Sequence, residues 1–145
     1  MRNILTALLC GAMILSSAIC FAVINDNKMA IGGMMPGISA EDLVSTFGQP
    51  TVKDGDDWTY KNFKVEIKRG VVTEVSTCSM TITTYDGVRV GLAAEELNPS
   101  FGKADKVDVD SKDTKYEYYS TDRKKKIVFK VVNGVISKIS CKLVD

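Results

Sequence analysis

Gly37-Ile38-Ser39-Ala40-Glu41-Asp42-Leu43, closing on Phe47-Gly48, returns later in the chain as Gly91-Leu92-Ala93-Ala94-Glu95-Glu96-Leu97, closing on Phe101-Gly102. Further blocks follow in the same order. Trp58-Thr59-Tyr60 matches Tyr116-Glu117-Tyr118, and Phe63-Lys64-Val65-Glu66-Ile67 matches Ile127-Val128-Phe129-Lys130-Val131. Gly70-Val71-Val72 with Val75 matches Gly134-Val135-Ile136 with Ile139. Chance does not keep such an order through four blocks, so the chain reads as a duplication.

Each copy reads as a helix followed by a three-stranded meander. Ser39 with Asp42 opens the first helix, because a hydroxyl and a carboxylate there satisfy free backbone N–H groups. Leu43, Val44 and Phe47 share a helical face, and Gly48 followed by Pro50 is a stop. Phe63, Val65 and Ile67 alternate with Lys64, Glu66 and Lys68, which is strand periodicity. Arg69-Gly70 and Asn133-Gly134 are the matching turns. In the second copy Ala93 stands where Ser39 caps, and Pro99 falls inside the helical segment, so a shorter helix is expected. The fold expected is α+β: two tandem helix-plus-three-stranded-meander repeats, 23–80 and 81–145, forming one antiparallel sheet with helices on one face.

Ahead of the first copy, Arg2 precedes an apolar stretch from Ile4 to Ile19, and Cys20-Phe21-Ala22 offers small residues where a signal peptidase reads. Residues 1–22 are therefore expected to be a leader cleaved near Ala22. The stretch is short for a membrane span and lacks a flanking stop-transfer charge; a retained anchor is the alternative. Lipidation at Cys10 or Cys20 is disfavoured by the residues before them. The chain is thus expected in the periplasm or outside the cell, with no stable span in its mature form.

The leader carries one basic and no acidic residue, which leaves 18 of each sign and a mature charge of zero. A balanced chain has no long-range pull on nucleic acid or anionic lipid. Histidine is absent, which removes the usual general base and the commonest zinc ligand. No phosphate loop or nucleophile elbow appears. The expectation is a protein without catalysis, cofactor or metal.

The string from Gly37 to Leu43, closing with Phe47-Gly48-Gln49-Pro50, resembles the helix opening of the SmpA/OmlA family, the small lipoprotein component of the outer-membrane β-barrel assembly machine. The module in tandem, with leader and cysteines, is similar to the secreted β-lactamase inhibitor proteins. That resemblance implies helix-plus-sheet repeats joined into one long sheet with a concave face for a protein target. The partner expected is another protein, an envelope component or a secreted enzyme such as a β-lactamase; an envelope-assembly scaffold is the remaining reading.

Candidate binding residues are the aromatic pairs Trp58/Tyr60 and Tyr116/Tyr118, each placed on one sheet face by period two. On the face away from the helices they form an aromatic platform; on the other they are core. Acidic stretches between helix and first strand, with Asp54, Asp56 and Asp57 in one copy and Asp108, Asp110 and Asp113 in the other, read as turns or as docking loops for a basic partner. Lys112 breaks the spacing of a calcium loop. Cys78 and Cys141 are the candidate disulfide of an exported protein. Cys141 shares the strand phase of Ile139 and Leu143 while Cys78 follows Glu74 and Ser76, so a bridge requires Cys78 to have left its strand.

Overall fold

The computed structural model describes residues 24–145, and the predicted leader with its cleavage point lies outside them. The first half comprises α1 (Ala40–Phe47) and four strands, β1 (Val52–Asp54), β2 (Asp57–Thr59), β3 (Lys64–Lys68) and β4 (Val71–Thr77). The second comprises α2 (Leu97–Phe101) and β5 (Lys106–Val109), β6 (Thr114–Tyr119), β7 (Lys125–Val132) and β8 (Val135–Leu143). All eight strands join in one antiparallel sheet, ordered β1-β2-β3-β4-β8-β7-β6-β5. Its seam is the pairing of β4 with β8, where Val75 lies opposite Cys141 and Thr77 opposite Ile139.

Each half has one more strand than its sequence suggests. The acidic stretches turn back on themselves and pair as outer hairpins. Asp54 lies opposite Asp57, with Gly55 at φ +58 and Asp56 at the corner. Positive φ at the first corner only is the pattern of a type II′ hairpin, which glycine serves without strain. On the other edge the Asp110 carboxylate accepts the backbone N–H groups of Lys112 (2.7 Å) and Asp113 (3.3 Å). These bonds hold its carboxyl below the usual range, and the residue serves the turn.

The two helices differ as their caps differ. Ser39 Oγ accepts the Asp42 N–H at 3.0 Å, and α1 runs for eight residues. Ala93 offers no oxygen; a 3₁₀ turn at Ala94–Glu96 leads into an α2 of five residues. Pro99 is the third of these, within the first turn, where a missing N–H has no intrahelical partner to lose. Other details recur in both halves. Arg69 and Asn133 take positive φ (54° and 50°) ahead of Gly70 and Gly134, the type I′ geometry that matches strand twist. Both inner hairpins bulge, at Glu66/Ile67 and at Lys130/Val131.

Leu43, Leu97 and Phe101 pack in one core with Val65, Val72, Val75, Ile127, Phe129 and Ile139. Each such side chain contributes on the order of 1.5–3 kcal/mol by leaving water. The short α2 cannot cover its half alone. The segment before α1 does this instead, sinking Ile24, Met29, Ile31 and Met34 into the core. Lys28 pins it across α2: its ammonium donates to the Ser100 carbonyl (2.6 Å), pairs with Asp86 (3.3 Å) and lies 5.5 Å from the Phe101 ring centre. The sheet therefore has one face covered by α1, α2 and this arm, while no element among the described residues covers the other.

Candidate functional site: the open face of the sheet

Strand phase decides which side chains reach the open face. Trp58, Val65, Val75, Cys141, Ile127 and Tyr118 stand opposite one another in one row across six strands. Facing residues of paired strands share a side, and this row includes the core, so it points to the helices. Tyr60 and Tyr116 share the phase of Trp58 and Tyr118. The aromatic pairs consequently form no platform on the open face.

Their surroundings agree. Tyr60 and Tyr118 are buried, while Trp58 and Tyr116 are half-buried against the core. Tyr118 packs between Phe101 and Phe129, with ring centres at 5.2 and 5.9 Å. Trp58 carries the Lys53 ammonium 4.0 Å from its ring centre. The tyrosine hydroxyls hold the ends of the helices, Tyr60 donating to the Gly48 carbonyl and Tyr118 to that of Gly102. They satisfy carbonyls that a helix end leaves free.

The cysteines correct a second expectation. Both thiols are free, Cys141 buried and Cys78 exposed. Cys141 faces the helices opposite Val75, and Cys78 lies beyond the end of β4, so the sheet register keeps them apart.

What the open face does carry is charge, and it is divided at the seam. On β1 to β4 it presents Asp54, Asp57, Glu66 and Glu74, with Lys64 and Lys68. Asp56 sits at the hairpin corner of that half. On β5 to β8 it presents Lys106, Lys115, Lys126, Lys130, Lys138 and Lys142, against Asp108 and Glu117 in the strands. Asp113, just before β6, pairs with Lys130 at 2.9 Å. That carboxylate holds the Lys130 ammonium above its ordinary range.

Glu117 is a buried acid of the basic half. Burial opposes its charge, but hydrogen bonds from Lys126 (3.0 Å) and the Tyr119 hydroxyl (3.3 Å) outweigh burial and hold the carboxyl below the usual range. Tyr119 is the aromatic residue that strand phase brings to this face, with Arg123 at 4.8 Å and Lys126 at 5.6 Å from its ring centre. Among the described residues, Lys115, Lys138 and Lys142 enter no ion pair.

A groove of about 350 Å³ lies between these lysines, floored by Val128 and Ser140. A second of about 380 Å³ lies over Ser76, Thr59 and Lys64, and both are lined by Glu74 and Lys138. Val128, Ser140, Ser76, Lys64 and Thr59 stand opposite one another from β7 to β2, so the two grooves form one trough across the strands. The sequence contains these residues in plain alternation, but only the register aligns them. Among the described residues no cluster of three or more metal-ligating side chains occurs, and no helix is long and apolar enough to cross a membrane.

No family model and no curated protein matches the chain. Two solved structures are similar. One is a DUF4309 family protein (YjgB) from Bacillus subtilis, with a TM-score of 0.55 and 14% identity over 73% of this chain and 78% of that one. The other is an extracellular protein containing an SCP domain from Bacillus anthracis, with a TM-score of 0.50 and 8% identity over 83% of this chain. The match covers 46% of that second protein, so this chain corresponds to about half of it. Likeness at such identity is likeness of fold.

Proposed function

We propose that this chain is an exported protein-binding module that works without catalysis, and that the uncovered face of its sheet is the docking surface. The observation that carries the reading is an eight-stranded face on which, among the described residues, nothing packs and Lys115, Lys138 and Lys142 enter no ion pair. At about 4.8 Å per strand the face is roughly 34 Å wide, a width suited to a partner footprint of about 800 Å². The apolar leader pattern supports export, and the lack of histidine supports binding over acid–base chemistry.

The test places a photo-crosslinking residue at Val128 on the open face and, separately, at Val44 on α1, in the host cell. A protein adduct at Val128 and none at Val44 is expected. Equal adducts at both positions, or none at Val128, would sink this choice of surface. If the adduct is a secreted enzyme that the purified chain also inhibits, the module is an inhibitor; an envelope component points to a scaffold.

A further inference from the structure

Lys115, Lys130 and Lys138 stand directly opposite one another on three adjacent strands, and Lys126 stands opposite Lys142 on two of them. Like charges directly opposed destabilise a sheet. Asp113 and Glu117 offset two of the five, at Lys130 and Lys126. The other three enter no ion pair among the described residues, although Lys115 stands opposite Asp108 and Lys142 opposite Glu74 on the neighbouring strands. The fold does not require this arrangement, since open-face positions of a sheet accept many polar residues.

Between the two lysine rows runs the row of Glu117, Val128 and Ser140. The rows lie four residues apart along the strands, hence roughly 13 Å at 3.3–3.4 Å per residue. Short side chains at Val128 and Ser140, the Lys126-paired Glu117 beside them and long cations on both walls make a trough as wide as an extended peptide with its side chains. Such a chain sends successive side chains to opposite sides, which here means to one lysine row and then the other. Beyond β8 the trough passes Glu74 and enters the acidic half beside Glu66 and Asp57. A uniform polyanion is repelled there.

Resting on the docking surface proposed above, we infer that the trough takes an extended, carboxylate-rich peptide segment of the partner, laid across β6 to β8 and turning cationic where it crosses the seam to β4. Backbone amides of the segment have Ser140 and Glu117 beneath them, and its carboxylates reach Lys115, Lys138 and Lys142, none of which enters an ion pair among the described residues.

A fluorescein-labelled peptide alternating Glu and Thr, titrated into the exported chain by fluorescence polarisation, tests this. Saturable binding that weakens with salt is expected. The triple variant Lys115→Gln/Lys138→Gln/Lys142→Gln should weaken it roughly tenfold. Its thermal midpoint should stay level or rise, because the opposed cations are gone. Ser140→Arg separates trough from bulk charge, since it adds a cation while filling the floor. It should weaken binding, and Val128→Lys repeats the test from the neighbouring strand. Tighter binding by the filled variants, full binding by the triple variant, or equal binding of a Lys-Thr peptide or of single-stranded DNA each overturn the inference. A crosslinked partner at Val128 that the triple variant still captures overturns the charge reading alone. The docking surface fails separately, by the absence of that adduct.

Discussion

The Tyr60 hydroxyl lies 3.0 Å from the carbonyl oxygen of Gly48 and closes the end of α1. Tyr118 makes the corresponding bond to Gly102 at 3.4 Å. The first is within good hydrogen-bond range and the second is long. Tyr60→Phe should therefore cost about 1 kcal/mol, and Tyr118→Phe distinctly less. Urea unfolding of the two variants checks the order. A larger loss from Tyr118→Phe would show that the longer bond is the one the helix end depends on.

Burial pushes the Tyr118 hydroxyl up to about 12. An unfolded tyrosine titrates near pH ~10, so between these values the unfolded chain binds fewer protons than the folded one. Stability supplied by the neutral phenol is complete below pH ~10 and falls as pH rises through about 12. Tyr118→Phe should flatten this part of the pH–stability curve. An unchanged alkaline slope in denaturant melts would remove Tyr118 as its source.

The two cysteines should behave oppositely. Burial pushes the Cys141 thiol up, and a thiol kept protonated is a poor nucleophile. Cys78 is exposed. Iodoacetamide should label Cys78 in the native protein and reach Cys141 only in denaturant, as mass spectrometry would read. A mass lower by two hydrogens in the untreated protein would instead mean a bridge.

Met29 and Ile31 have no solvent exposure. Met29→Ala or Ile31→Ala should destabilise by about 2–5 kcal/mol, as much as a change in the sheet core. Lys28→Met keeps the stem and removes the ammonium from Ser100 and Asp86, so a smaller loss is expected, and it should shrink little with salt, because the carbonyl bond is neutral on one side. Calorimetric melts at two ionic strengths measure both. Midpoints unmoved by Met29→Ala would mean that the arm is dispensable.

The elements of this fold were open to reading because its local signals agree. The Ser39 cap, the Arg69-Gly70 and Asn133-Gly134 turns and the alternation of Phe63 to Lys68 each point to the structure formed. Period two also pairs Trp58 with Tyr60, yet it is silent on which side of the sheet they fall. That depends on Trp58 facing Val65 across β2 and β3, a fact of register. Register likewise assembles the lysine rows from β6, β7 and β8. The arm was missed for another reason. Ile24, Met29, Ile31 and Met34 follow neither a helical nor a strand period, and lie between the apolar stretch ending at Ile19 and the block that opens at Gly37. The outer hairpins read as loops because β1 and β5 are fully exposed and have no buried side to set an alternation.

Synthesis delivers Ile24 early, yet its carbonyl is held by the Thr121 hydroxyl, 97 residues further on, and Asp26 waits for Lys125. Contacts this distant in sequence form slowly, since a long loop must close before they reward it. Lys28 can engage Asp86 and Ser100 first, but the Ile24 end of the arm stays unfastened until residues 121–125 exist. A chain whose arm is tied to residues 121–125 cannot complete its fold until those residues are in place.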